Sequence, residues 1–424
     1  PEPEPELEPE PIVLFRHGEI SPLSGGDEGD DNYYLAAVNI NGNLLGKHNI
    51  IYTYEYTTWS LSADKTKVFV WNEMNRAGCY EVDTYGQDAG SPIPLLWTFR
   101  LEDKRAAGTK WSPVSSLDSN VVIMPGEGKF HVIDVSNSTS ISPVQLWEFG
   151  GGLTSDTRIE ISPILSLDGT KLYAMTTAGY IYTFNMTSTV APGTGATSGS
   201  DHPEILWDKD VESTGSRSSL PIDSAVLSPT GDTLLVRKEY GGSTAITLIN
   251  THDGSYIWPS PGTSVWSGIE SGTPCFNLDG EKYYIGLKES NEKCIIQARK
   301  TDDSFEAIHR DGTSNVSLYF SDIPQDGWNT QTDSLVEKAI IVSEDGIIYA
   351  MSNNGTLYAI NTTDGNVIWS KTAAERGSLF TTSSQKDNFR PLILNSNNSV
   401  LYVDDGIKLY AINTTNGIVI WSFS

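Results

Sequence analysis

The chain has only three cysteines, Cys79, Cys275 and Cys294, among its 424 residues. That is too few for a disulfide framework: at most one bridge can form, and one thiol is left over or pairs between chains. Histidine is equally sparse. His17, His48, His131, His202, His252 and His309 stand singly, with no His-x-His, His-Glu-x-x-His or Cys-x-x-Cys spacing, so no metal signature is written in sequence order. Positive charge is in deficit, 28 Lys plus Arg against 54 Asp plus Glu for a formal charge of −26. Such a surface repels phosphate backbones and anionic lipid heads, which excludes nucleic acid as an expected partner. No apolar run is long enough to cross a bilayer as a helix, and no Gly-x-Ser-x-Gly elbow supplies a nucleophile.

What the sequence does contain is repetition. An apolar pair followed by tryptophan recurs in LLWTF (Trp97), QLWEF (Trp147), ILWDK (Trp207), YIWPS (Trp258), VIWSK (Trp369) and VIWSF (Trp421). The spacing is about fifty residues, with one gap of about twice that, and SFEAIHR (304–310) stands in the long gap as a degenerate copy. A second phrase, two apolar runs flanking a tight turn, recurs independently. It reads WSLSADKTKVFVW (59–71), WSPVSSLDSNVVIM (111–124), ISPILSLDGTKLYAM (161–175), DSAVLSPTGDTLLVR (223–237), GTPCFNLDGEKYYIG (272–286), KAIIVSEDGIIYAM (338–351) and RPLILNSNNSVLYVD (390–404). A further copy with a longer turn is ISPLSGGDEGDDNYYLAAV (20–38).

Runs of four to seven residues rich in Val, Ile, Tyr and Trp, separated by Asp-Gly, Asn-Gly or Ala-Gly, are hairpin signals, because those turns need residues tolerant of positive φ. No stretch carries sustained helical periodicity. Each unit therefore reads as a four-stranded antiparallel meander. One meander cannot bury both of its faces, so neighbours must stack, and four strands per period of about fifty is the signature of a propeller. The expectation is an all-β, eight-bladed β-propeller over residues 12–424, with blades at roughly 12–58, 59–108, 109–157, 158–215, 216–265, 266–318, 319–377 and 378–424. The alternative is seven blades plus an N-terminal closing strand, for which IVLFRHG (12–18) is the candidate latch.

The phrase xLYAINxxxGxxIW, sharpest at 347–370 and 401–422, resembles the repeat of the PQQ-like (quinoprotein alcohol dehydrogenase-like) β-propeller superfamily. That superfamily includes quinoprotein dehydrogenases and cofactor-free scaffolds. The resemblance implies an eight-bladed ring in which Trp97, Trp147, Trp207, Trp258, Trp369 and Trp421 dock each blade on the next. It also implies, for a dehydrogenase, adjacent cysteines over the quinone. Here Cys275 falls in the first strand of its unit and Cys294 in the third, so no cofactor is expected and the reading is non-enzymatic.

Two further motifs resolve into turns. GNLLGKH (42–48) has His48 where a phosphate loop requires Ser or Thr, and it sits in a hairpin. The acidic run GGDEGDDN (25–32) lacks the spacing of a calcium loop and reads as a solvated turn. Seven N-x-Ser/Thr acceptors occur, at Asn137, Asn185, Asn315, Asn354, Asn361, Asn397 and Asn413. With an initial Pro1 in place of Met, they lead to the expectation of a secreted, N-glycosylated protein. Residues 1–11, PEPEPELEPEP, are expected to form an extended acidic rod.

The functional expectation is thus an extracellular structural or protein-interaction scaffold, binding other protein subunits. It extends to a homo-oligomer or filament held through the tail and the insertions at 187–204 and 321–336, the latter with an exposed Trp328. The alternatives are a carbohydrate-binding lectin or PQQ-type oxidoreductase acting at the channel, and a bacterial envelope assembly scaffold.

Overall fold

The turn inside the second repeated phrase sets the local geometry. In Ser166-Leu167-Asp168-Gly169-Thr170-Lys171, the Ser166 hydroxyl donates to Asp168 Oδ1 (2.6 Å) and accepts the Lys171 amide (2.8 Å). Asp168 Oδ1 also accepts the Thr170 amide at 3.0 Å. The same box recurs as Ser62/Asp64/Thr66/Lys67 and Ser116/Asp118/Asn120/Val121. It pulls the Asp168 carboxyl down to about 2, the Ser166 hydroxyl being the main cause and the Thr170 amide the next. One residue of each turn takes positive φ: Lys65, Ser119, Gly169, Gly231, Gly280, Gly346 and Asn398. These are seven equivalent turns, one for each copy of the compact phrase.

The computed structural model describes residues 12–19, 32–39, 41, 43–49, 57–72, 76–82, 93–100, 112–125, 130–136, 143–149, 161–176, 179–187, 203–211, 222–240, 243–258, 265–267, 269–289, 294–301, 328–336, 339–376, 392–404 and 408–423. Seven sheets of four or more antiparallel strands follow one another, each built from consecutive strands. Blade 1 comprises Thr57–Leu61, Lys67–Asn72, Arg76–Glu81 and Leu95–Arg100; blade 2, Val114–Ser115, Val121–Pro125, Phe130–Asp134 and Val144–Phe149. Blade 3 comprises Ile164–Leu165, Lys171–Met175, Tyr180–Asn185 and Ile205–Asp210; blade 4, Ile222–Leu227, Thr233–Tyr240, Ser243–Asn250 and Tyr256–Trp258, with Val265–Ser267 also on the third strand. Blade 5 has a first strand in two pieces, Ile269–Ser271 and Cys275–Phe276, then Lys282–Glu289, Cys294–Lys300 and Trp328–Thr332. Blade 6 comprises Ala339–Val342, Ile347–Met351, Leu357–Asn361 and Val367–Lys371; blade 7, Ile393–Leu394, Val400–Asp404, Leu409–Asn413 and Val419–Phe423.

The expectation of an eight-bladed ring is corrected: the fold is a seven-bladed propeller with an extra N-terminal element. Among the described residues, Ile12–Glu19, Asn32–Asn39 and Leu44–Asn49 form only a three-stranded sheet. The physical reason is visible in the turn. The N-terminal copy spends residues 20–31 on its connection where the others use the tight box, and it has no Trp-bearing closing phrase. IVLFRHG pairs with Asn32–Asn39 (Phe15 opposite Ala36) and does not add to the sheet of blade 7. Closure comes by face packing instead. Ala37 packs with Val68, Val70 and Tyr80 of blade 1, while its neighbour Val38 packs with Tyr402, Leu409 and Ala411 of blade 7. Successive residues of a strand point to opposite faces, so one strand touches both ends of the chain of blades.

Each remaining core cluster likewise lies between adjacent sheets, such as Phe69, Trp71 and Cys79 against Val122, Met124 and Ile133. Fully burying a side chain of this size is worth about 1.5–3 kcal/mol, which is why a single meander is not stable alone. A boundary expected at 318/319 is also moved: Trp328–Thr332 pairs with Cys294–Lys300 and closes blade 5. The acidic run 25–32 lies outside the described residues apart from Asn32, and the tail 1–11 lies wholly outside them.

Burial of phenols gives a pH prediction. Tyr80 and Tyr284 are buried, and desolvation pushes both up to about 12, with nearby Cys79 and, for Tyr284, Asp279 adding to the rise. The unfolded chain ionises its tyrosines near about 10, so the native state binds more protons above that pH and loses stability as pH rises. Urea midpoints are expected to be flat up to about pH 10 and to fall between about pH 10 and 12. Phenolate absorbance from these two residues should appear together with unfolding; its appearance in the folded protein near pH 10 would contradict their burial.

Candidate functional site

Tryptophans of the repeated signature meet the turn of the next blade. Trp207 Nε1 donates to the Thr251 carbonyl at 3.1 Å, and Trp369 Nε1 to the Thr414 carbonyl at 2.8 Å. Their rings lie on the glycine that ends that turn: a Cβ added to Gly254 or Gly417 would stand 2.8 or 2.7 Å from the indole Cε3. Trp97 and Trp147 are buried, Trp147 edge-on to Phe130 at 5.4 Å. Trp421 lies tilted beside Tyr402, ring centroids 6.0 Å apart, in the cluster that receives Val38. Trp258 ends the fourth strand of blade 4, and its side chain lies outside the described residues.

Sequence reasoning missed one member of this set. Trp328, expected to be exposed in a loop, is 7% exposed. It donates to the Thr362 carbonyl at 2.8 Å, stacks 5.7 Å from Tyr284, and sits on Gly365. The segment SFEAIHR, read as the degenerate copy, lies outside the described residues. The signal was obscured because this strand reads WNTQT, with Trp at its start and no apolar pair before it.

The acceptor asparagines have a turn role. Asn361, Asn413 and Asn185 each accept, on Oδ1, the amide two residues on, at 2.7, 2.9 and 3.0 Å. Asn250 does the same for His252 at 2.8 Å, where the residue two on is neither Ser nor Thr. Asn354 and Asn397 accept from Thr356 and Ser399 in the same way. Each of these asparagines thus has a structural role as the first residue of an Asx turn. Asn137 and Asn315 lie outside the described residues.

The three cysteines form no disulfide; Cys275 pairs across to Tyr284 in the second strand of blade 5, while Cys294 begins the third. Among the described residues no group of three or more His, Cys, Asp or Glu could hold a metal ion, and no helix is long and apolar enough to cross a membrane. Buried His131 faces Glu148 on the neighbouring strand at 3.4 Å, and Gln145 Nε2 donates to the same carboxylate at 3.2 Å.

The distinctive surface lies at the apices of the seven box turns. The position after the boxed Ser or Asn is Ala63, Leu117, Leu167, Pro229, Leu278, Glu344 and Ser396 in blades 1 to 7, and all seven are exposed. Leu117, Leu167 and Leu278 are 54%, 57% and 50% exposed. They form one arc because each turn leans on the next. The Leu117 side chain covers Gly169, Leu167 covers Gly231, and Thr230 covers Gly280; the Asp64 amide donates to Ser119 Oγ at 3.2 Å. An apolar band therefore crosses blades 2 to 5 and gives way to Glu344 and Ser396. The repeated S-L-D or N-L-D triplet, a leucine at a turn apex, was the sequence signal for it.

Comparison with known proteins agrees with this architecture. Residues 323–424, which hold the closing strand of blade 5 and blades 6 and 7, match the family model described as outer membrane protein assembly factor BamB. No curated protein sequence matches the chain. Among solved structures, Sqt1 from Chaetomium thermophilum, bound to the N-terminus of the ribosomal protein L10, is similar with a TM-score of 0.63 at 12% identity, covering 95% of this chain and 93% of that one. BamB from Moraxella catarrhalis is similar with a TM-score of 0.52 at 12% identity, over 88% and 91% of the two chains. The dihydro-heme d1 dehydrogenase NirN is similar with a TM-score of 0.56 at 9% identity, over 92% and 70%. At these identities the likeness is one of fold.

Proposed function

We propose that this chain is a non-enzymatic propeller that acts as a protein-interaction and assembly scaffold, holding a partner protein on the face formed by its box turns. One observation carries the reading: the same turn position is apolar and exposed in four consecutive blades, at Leu117, Leu167, Pro229 and Leu278. Single exposed leucines are ordinary, but one turn position kept apolar in successive blades and rimmed by polar residues marks an interaction surface. The same folded frame holds a terminal segment of another protein in Sqt1, and an assembly factor is the protein that the family model describes.

This favours the assembly-scaffold alternative over the secreted filament. The proposal does not extend to secretion, glycans or self-association. It is tested by placing the photo-crosslinking residue p-benzoylphenylalanine at Leu167 or at Ser396 and irradiating cells that make the chain. Adducts to another protein are expected from position 167 and not from 396, the equivalent turn in blade 7. Equal yields at both positions, or none at either, would overturn the reading.

A further inference from the structure

The charge around the apolar arc narrows the partner, and the inference rests on the scaffold reading above. In the box turns of blades 2 to 6 the carboxylates are Asp118, Asp168, Asp232, Asp279, Glu281, Glu344 and Asp345, seven against the two lysines Lys171 and Lys282. Lys171 is partly spent, since its Nζ donates to the Thr251 carbonyl at 3.3 Å. Leu278 is followed directly by exposed Asp279 and Glu281, and the next turn round the ring presents exposed Glu344 and Asp345. The arc thus runs from an apolar stretch at Leu117 and Leu167 into an acidic end at blades 5 and 6. The whole-chain charge of −26 extends the same sign over the surface.

We infer that this arc takes a cationic, amphipathic helical segment of a partner protein, its apolar side chains on Leu117, Leu167, Pro229 and Leu278 and its Lys or Arg side chains toward Asp279, Glu281, Glu344 and Asp345. A helix of this kind presents an apolar stripe with basic flanks, which complements a leucine band rimmed by carboxylates. An acidic or uncharged amphipathic segment would meet like charge or leave these carboxylates unpaired. Nucleic acid and anionic lipid carry the sign that the surface repels.

The probe is a fluorescein-labelled synthetic Leu/Lys amphipathic peptide, titrated with the full chain and followed by anisotropy. Its comparators are a scrambled peptide of the same composition, which has no apolar stripe, and a Leu/Glu counterpart. The Leu/Lys peptide is expected to bind at least about tenfold more tightly than either. The exposed-site triple variant Leu117→Ser, Leu167→Ser, Leu278→Ser should lose at least about tenfold in affinity, with folding checked by circular dichroism. The pair Glu344→Gln, Asp345→Asn should weaken binding and flatten its salt dependence. Equal binding of the scrambled or Leu/Glu peptide, or unchanged affinity in the triple variant, would overturn the inference. If crosslinks form at position 167 in cells while the Leu/Lys peptide fails to bind, the scaffold reading stands and the partner class falls. If neither is seen, both fall.

Discussion

Replacing Trp328 with alanine is expected to destabilise the protein by about 4 kcal/mol, near the middle of the range for a buried aromatic. Three losses coincide. The indole fills the wedge between blades 5 and 6 with Tyr284, Ile348 and Tyr358. Its Nε1 satisfies the Thr362 carbonyl at 2.8 Å. Its ring covers Gly365, whose added Cβ would lie 2.5 Å away, so the turn is shaped to it and collapses poorly into the space it leaves. Urea denaturation followed by far-ultraviolet circular dichroism measures the effect. Trp421→Ala, at a partly buried position in blade 7, should cost distinctly less. A loss below about 1 kcal/mol for Trp328→Ala, of the size seen for surface changes, would mean that the residue is not the one joining these blades.

Alanine at Gly286 should be nearly as damaging, at about 3 kcal/mol, the upper end for overpacking. Gly286 lies in the second strand of blade 5, and a Cβ there would stand 2.1 Å from the Val336 carbonyl oxygen. That atom is backbone, in the connection that leaves blade 5 for blade 6, and it cannot rotate aside as a side chain would. The neighbouring residue tolerates more. Ile285→Val removes one methylene at a buried site and should cost about 1 kcal/mol. Comparing the two by thermal denaturation separates backbone collision from lost packing; equal shifts would show that the connection can move away from the strand.

The pattern of residues carried most of the fold. Box turns such as Ser166-Leu167-Asp168-Gly169 and the alternating strands beside them are local devices, made by side chains a few residues apart, and they can be read one copy at a time. Trp207 and Trp369, which meet the turn of the next blade, were legible for the same reason, each following an apolar pair. Trp328 was not, because the long insertion before it detached the residue from its phrase, and only the pairing of Trp328–Thr332 with Cys294–Lys300 identifies its strand. The Asn-x-Thr triplets carry two meanings at once: a glycan acceptor and an Asx turn use the same residues, and the hydrogen bond from the Thr363 amide to Asn361 Oδ1 reports the turn alone.

The sequence by itself determined that this chain is all-β and built from stacked meanders, since strand period, turn chemistry and an unburied second face are properties of each unit. Tertiary structure decided that seven of those units are complete blades and that the N-terminal copy closes the circle by packing Ala37 and Val38 on opposite sides. It also decided which leucines are surface. Leu165 and Leu167 are two residues apart in one phrase, yet one packs into the cluster between blades 2 and 3 and the other stands 57% exposed at a turn apex. Burial is a property of what the neighbouring blade covers, and no single repeat contains that information.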